Sequence, residues 1–153
     1  MASKLRLVIT TGDPDGIGWE VTVKALNRIG PLKGVQFILL KSRLTSRLGP
    51  KLVNKFKVKT VSSLSQALGA DDTPLIEVCS AQPAALWVEE AARACLKGSF
   101  DALVTAPLSK TSVIEAGLKD IGHTEILARI SGSSDLFMGF LGSKFNVVLA
   151  TGH

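Results

Sequence analysis

The sequence is poor in aromatic residues, and this shortage argues against one class of partner. Aromatic residues make up 5% of the 153 positions and are not interleaved with the basic residues. A single-stranded nucleic-acid site combines clustered positive charge with aromatic stacking surfaces. The net charge of +5 is instead spread along the chain, which is typical of a solvated basic face. We therefore expect no nucleic-acid partner.

Long apolar runs and cysteine clusters are also missing. No apolar run approaches the ~20 residues that cross a bilayer, and the N-terminus lacks a signal-peptide cleavage pattern. We expect a cytoplasmic protein with no membrane partner. Cys79 and Cys95 are the only two cysteines and form no C-x-x-C pair, which favours buried, reduced thiols over a zinc cluster.

The sequence contains alternating strand and helix patterns, and its composition is typical of a globular protein. A β-branched apolar run at 5–11 leads through a glycine-rich loop into a helical pattern at 19–29, and a second apolar run follows. This order is typical of a βαβ unit. The alternation along the chain predicts a three-layer α/β/α fold with an antiparallel portion. The further predicted strands are 35–40, 56–61, 74–79 and 102–104, with a helix between Pro83 and Gly98.

Two segments carry weaker patterns. Residues 62–73 resemble a connection that contributes little to the core. Residues 135–141 and 144–151 read as two strands, and the two-residue link 142–143, Gly-Ser, predicts a tight antiparallel hairpin between them.

The stretch 102–125 carries the first candidate site residues. A short strand ends in small polar residues, a short helix runs to Gly117, and Gly122-His-Thr-Glu opens another helix. Ligands of α/β proteins gather where strand ends meet helix starts. Lys110, His123 and Thr124 are therefore the candidate ligand contacts, although a lone lysine after a strand is also common as a solvated surface group.

The glycine-rich loop after the first strand is neither a dinucleotide fingerprint nor a phosphate-binding P-loop, because its glycine spacing differs from both. Its backbone N–H groups suit an anion, or the loop is a tight turn that shapes a cleft. Asp13 and Asp15 would repel an anion, which favours the shaping role. The candidate shaping residues are Gly12, Asp13, Gly16 and Gly18.

His153, the second of two histidines, ends the last predicted strand. Strand ends are the usual position of metal or catalytic ligands in α/β proteins. A metal site needs three or four ligands, so His153 is at most one member of a metal site.

Three stretches together resemble the 4-hydroxythreonine-4-phosphate dehydrogenase family of the vitamin B6 pathway. The loop 12–18 resembles the family's G-D-P-A-G-I-G. Residues 103–110, with Ala-Gly at 116–117 and Gly-His-Thr-Glu at 122–125, resemble its central substrate motif. Residues 148–153 resemble its strand ending in Thr-Thr-His. The order and spacing of the three motifs cover nearly the whole chain.

The resemblance implies an isopropylmalate-dehydrogenase-like α/β/α fold and a homodimer with active sites between two domains. It implies oxidation of a secondary alcohol by NAD or NADP with a divalent metal (zinc, magnesium or cobalt), followed by loss of carbon dioxide. By motif match, His123 and Thr124 would bind the phosphorylated hydroxy-amino acid substrate, with Lys110 in support. His153 would be the first metal-binding histidine.

The departures from the family pattern define the alternatives. Asp15, Trp19 and Gly152 replace the family's Ala, Pro and Thr. The sequence ends at His153, about halfway through the family's usual length. The resemblance thus implies a truncated fold, the N-terminal half of the enzyme, with a first domain over about 1–120 and the start of a second over about 121–153. Alone, it would lack a complete metal or cofactor site and be inactive.

Two other functions fit parts of this pattern. A non-catalytic phospho-ligand-binding or interaction module derived from the family would account for the three departures. A related phosphate acyltransferase would share the fold, but it matches the Gly-His-Thr-Glu motif less well.

Overall fold

A computed structural model of the chain describes residues 4–45, 55–70, 73–134 and 136–150, and it has a parallel sheet with helices on both faces. The predicted three-layer α/β/α class is confirmed. The strands are β1 Leu5–Thr10, β2 Val35–Ser42, β3 Val58–Val61, β4 Leu75–Ser80, β5 Ala102–Thr105, β6 Gly139–Leu141 and β7 Asn146–Val148. The helices are α1 Gly18–Ile29, α2 Leu64–Leu68, α3 Ala84–Leu96, α4 Lys110–Glu115 and α5 His123–Ser131. No helix in the described ranges combines the length and apolar content that a bilayer crossing requires.

The main sheet has five parallel strands in the order β3-β4-β2-β1-β5, and β6 pairs with β7 in a separate antiparallel hairpin. Val8 of β1 lies between Ile38 of β2 and Leu103 of β5. Because all five strands run the same way, their carboxyl ends lie at one edge of the sheet, and the loops that follow them meet there.

Alternating residues of the central strands build a core on each face of the sheet, as period-2 side-chain geometry requires. On one face, Ile9 and Leu39 pack with helix α1. On the other face, Val8 and Ile38 pack with helices α2 and α3. The largest contributions from the helices are Trp19, Val23 and Leu26 of α1 and Trp87 and Ala91 of α3.

The described connections lie on both faces of the sheet. The connection after β1 runs on the α1 face, and Phe56, just before β3, joins the α1 core. The connections after β3 and β4 are α2 and α3 on the other face. Helix α4, after β5, packs through Val113 against Ala85 and Val88 of α3. The adjacent strands β1 and β5 therefore have diverging connections.

The expectation that residues 62–73 contribute little to the core is wrong for the described part of that segment. Helix α2 forms there, and its Leu64 and Ala67 are buried in the α3-side core. Ser63 caps the helix by accepting a hydrogen bond from the Gln66 N–H at 3.3 Å. A five-residue helix is too short to show a 3.6-residue period in the sequence.

The expectation of a two-residue hairpin link is also wrong. Leu141 pairs with Asn146, so residues 142–145 connect the two strands. The Asn146 side chain accepts a hydrogen bond from the Gly142 N–H at 3.1 Å and bridges the wider loop. The tight Gly-Ser turn is therefore replaced by a side-chain-bridged four-residue loop.

Trp19, one of the departures from the family pattern, is a core residue. Its side chain is 5% exposed, and the Lys41 ammonium lies 4.6 Å from its ring centroid. Lys41 Nζ also lies 2.9 Å from Glu77 Oε2, in an ion pair whose side chains are 3% and 15% exposed. Core packing and a cation–π contact therefore explain why a tryptophan is present at position 19.

Candidate functional site

The candidate site lies where β1 and β5 end side by side. Thr10 pairs with Thr105, and the Ala106 N–H donates a hydrogen bond to the Thr10 carbonyl at 2.9 Å. The glycine-rich loop that follows β1 is thereby brought against residues 106–109, which follow β5. Two stretches that are distant in the sequence share one edge of the sheet at this point.

The two loops are in direct contact, and glycine is required at the contact. Gly12 has φ +70°, and a Cβ there would lie 2.0 Å from the Pro107 carbonyl oxygen. At Gly18 a Cβ would lie 2.2 Å from the Thr11 carbonyl oxygen. Gly16 is less restricted, because its Cβ would make ordinary 3.4 Å contacts with Asp13. Only glycine allows the backbone to approach this closely at positions 12 and 18.

Asp13 ties the loop after β1 to the start of α4. Its side chain is buried, and Oδ2 accepts a hydrogen bond from the Ser109 N–H at 2.7 Å. Ser109 in turn caps α4, because its Oγ accepts a hydrogen bond from the Ser112 N–H at 3.1 Å. The other carboxylate oxygen, Oδ1, is buried and has no hydrogen-bond partner among the described residues.

His123 opens helix α5 and approaches the same loops. Burial lowers the pKa of its imidazole, while a hydrogen bond with the Ala106 backbone and the nearby Asp13 carboxylate act in the opposite direction. The pKa of the ring therefore lies below its ordinary value, which favours the neutral imidazole. Its Nε2 atom is buried and lacks a hydrogen-bond partner in the described part of the chain. A buried ring nitrogen of this kind is an open position for a ligand group.

A cavity of about 340 Å³ lies beside His123. One wall is the start of α5, with Thr124 and Glu125, and the other wall is apolar and comes from the hairpin region. Cavities of this size hold small metabolites. The hairpin-side residues are Leu136, Phe137, Met138, Leu149 and Ala150.

Lys110 is the first residue of α4 and is exposed. Its neighbour Ser109 is the residue that Asp13 holds. The structure therefore places Lys110 at the same sheet edge as the loop after β1. Within the described ranges Lys110 forms no ion pair.

His153 lies outside the described residues. Within the described ranges, no group of three or more His, Cys, Asp or Glu side chains is placed to hold a metal ion. Since a metal site needs three or four ligands, the described residues alone do not fit the divalent metal that the resemblance implies.

The sequence did not predict the site contacts that are made by a backbone group or by a helix N-cap residue. Ser109 and the Ala106 backbone were not among the candidates, although both contact predicted site residues. Ser109 was detectable, because a serine just before a helix is a strong N-cap signal. The role of the Ala106 carbonyl depends on tertiary contact alone.

Comparison with known proteins gives consistent matches. The family model for "Pyridoxal phosphate biosynthetic protein PdxA" matches residues 33–153. A 4-hydroxythreonine-4-phosphate dehydrogenase from a Sulfurihydrogenibium species is 29% identical over 97% of this chain and 50% of its own length. One from an Enterobacter species is 35% identical over 97% of this chain and 49% of its own length.

Solved structures share the fold. The crystal structure of a 4-hydroxythreonine-4-phosphate dehydrogenase from Klebsiella pneumoniae superposes with a TM-score of 0.70 at 24% identity, covering 95% of this chain and 50% of that one. The chain thus spans about half the length of the relatives that it matches. With the family model matching residues 33–153, the chain belongs to the PdxA family of pyridoxal phosphate biosynthetic proteins.

Proposed function

We propose that this chain is the N-terminal, substrate-binding half of an NAD(P)- and metal-dependent 4-hydroxythreonine-4-phosphate dehydrogenase of vitamin B6 biosynthesis. The reaction would oxidise a secondary alcohol, and decarboxylation would follow. Membership of the PdxA family supports the proposal. The observation that carries it is the buried Nε2 atom of His123, which lacks a partner among the described residues and belongs to a side chain that lines a cavity.

His123 and Thr124 are the proposed contacts of the phosphorylated substrate. A neutral imidazole has one donor and one acceptor nitrogen, and a threonine hydroxyl can donate to a phosphate oxygen. Leaving a buried nitrogen unpaired costs free energy that a ligand hydrogen bond would recover. Lys110 would add a positive charge at the same sheet edge. Asp13 and the glycines at 12, 16 and 18 would shape the cleft by holding the loops together.

We include NAD or NADP and a divalent metal in the proposal only because the chain belongs to this family. A metal bound to the complete enzyme would act as a Lewis acid on the substrate oxygen. His153 is the residue of this chain proposed as a metal ligand. The remaining ligands would come from residues that the matched half of the relatives does not include.

We also propose that a second domain begins near residue 121 and that the protein is a homodimer. The support for the dimer is the apolar hairpin. Leu141 is 90% exposed, Phe145 72% and Val148 67%. Exposed apolar clusters of this kind mark protein interfaces.

Calorimetric titration of the purified chain with 4-hydroxythreonine 4-phosphate tests the site. Wild type should bind, and His123→Ala and Thr124→Ala should each weaken binding by about tenfold, as expected for losing a hydrogen bond to a charged group. Thr111→Ala, an exposed threonine on α4, is the matched control and should bind like wild type. Equal affinity in all four proteins, or no binding by wild type, would contradict the proposal.

Turnover tests the catalytic assignment. The 153-residue chain alone should produce no reduced nicotinamide, whereas mixing it with the separately expressed second half of a relative should restore production. Dehydrogenase turnover by the chain alone would overturn the half-site assignment. Substrate binding with no restored turnover would favour the alternative of a non-catalytic phospho-ligand module.

A further inference from the structure

A second cavity lies at the carboxyl ends of β2 and β4. These two strands are parallel neighbours, and open α/β sheets bind ligands outside the carboxyl ends of their strands. A cavity of about 600 Å³ lies there, between the ends of these strands and helix α3. Its volume is within the range of small-molecule sites. None of the residues that line it belongs to the candidate site around His123.

Two arginine and two glutamate side chains carry the charge in the lining of this cavity. Arg43 follows β2 and Arg93 lies on α3, and both side chains are exposed and form no ion pair within the described ranges. Glu89 also lines the cavity, but its carboxylate is paired with Arg129 of α5. Glu90 is the remaining carboxyl group of the lining; it is exposed and forms no ion pair within the described ranges. Two unpaired guanidinium groups therefore accompany one unpaired carboxyl group in the lining.

The rest of the lining suits an organic ligand. Ser62, at the end of β3, and Ser80, at the end of β4, offer hydroxyl groups. Apolar contact comes from Leu40, Val78 and Leu86. Guanidinium groups bind carboxylates and phosphates through paired N–H donors. A few convergent polar groups on an apolar wall are the usual composition of a small-molecule site.

We propose that this cavity is a ligand site for a small organic anion, whose phosphate or carboxylate groups are held by Arg43 and Arg93. The site is independent of the proposed dehydrogenase function, because it uses different strand ends and different side chains.

Titration with inorganic pyrophosphate and with succinate tests the proposal, and the two probes distinguish phosphate from carboxylate recognition. At least one should bind saturably, and neutral glycerol should not. Arg43→Ala and Arg93→Ala should each weaken binding by about tenfold or more. Lys97→Ala removes an exposed positive charge just after α3, outside the cavity, and should leave the affinity unchanged.

Cysteine alkylation followed by peptide mass spectrometry localises the binding. Cys79 lines the cavity and Cys95 does not, so the bound anion should slow alkylation of Cys79 and leave that of Cys95 unchanged. Absence of saturable binding by both anions would overturn the proposal. If Lys97→Ala lost as much affinity as the two arginine variants, the binding would be unspecific charge attraction, and the proposal would be overturned. Unprotected Cys79 in the presence of the bound anion would also overturn it.

Discussion

The carboxylate of Asp13 accepts a hydrogen bond from the backbone N–H of Ser109, with 2.7 Å between Oδ2 and the nitrogen. This bond joins the loop after β1 to the cap of α4, across 96 positions of sequence. The same carboxylate acts on the imidazole of His123. One acidic side chain thus connects all three segments that build the candidate site.

Removing this acceptor should destabilise the fold. Asp13→Ala leaves the Ser109 N–H without its partner, and we expect a loss of about 1–3 kcal/mol in the free energy of unfolding. Asp13→Asn keeps an acceptor oxygen and should lose much less. Urea denaturation measures both variants. Identical stability of wild type and Asp13→Ala would show that the bond does not hold the loop.

Substituting Gly12 by alanine should cost more stability than the same substitution at a glycine that has a similar φ angle and no close neighbours. Gly132 has φ +69° with nothing within 4 Å of its Cβ position, so Gly132→Ala should cost only the left-handed strain of about 1 kcal/mol. Gly12→Ala adds the collision with the Pro107 carbonyl and should cost at least about 2 kcal/mol more. Thermal or urea unfolding compares them. Equal losses would contradict the close contact between the loops.

Stability should depend on pH through His123. Burial lowers the folded-state pKa of this imidazole below its ordinary value, so between the two pKa values the unfolded chain binds more protons. The contribution of neutral His123 to the free energy of unfolding should therefore be complete above about pH 6.5. The free energy of unfolding should decrease as the pH falls below that value. His123→Gln should flatten this dependence, whereas His153→Gln should retain it. A wild-type profile that is flat from about pH 7 to about pH 5.5 would contradict the pKa shift.

The apolar hairpin should mediate self-association. Leu141→Lys and Phe145→Lys place charges on its most exposed side chains and should shift the protein toward the monomer in sedimentation velocity. Ile114→Lys changes an isoleucine that is 70% exposed on α4 and serves as the control. Unchanged sedimentation of both hairpin variants would exclude this surface as the interface.

The sequence was most informative where apolar runs are long. The buried strands β1 and β2 and helices α1 and α3 agree with the predicted segments, because their periodicity extends over enough residues to be distinguished. Helix α2 has only five residues, and its stability comes from burying Leu64 and Ala67 rather than from a visible pattern. The four-residue hairpin loop is bridged by an Asn146 side-chain hydrogen bond, which strand alternation does not encode.

The candidate site was predictable in its residue types but not in its contacts. Glycines, a histidine and a lysine at strand ends mark a ligand edge in any parallel sheet. That Asp13 reaches Ser109, and that Gly12 touches Pro107, depends on β1 and β5 being neighbours. Strand order is a tertiary property, so these relationships appear only in the folded chain.

The imidazole NMR spectrum shows whether His123 contacts the phosphorylated substrate. The chain has two histidines, so His123→Gln assigns the signals. Without ligand, the His123 ring should titrate below its ordinary pKa. Saturation with 4-hydroxythreonine 4-phosphate should move its resonances and raise its pKa, because a nearby phosphate stabilises the imidazolium form. Ligand binding that leaves the His123 resonances and pKa unchanged would show that His123 does not contact the phosphate.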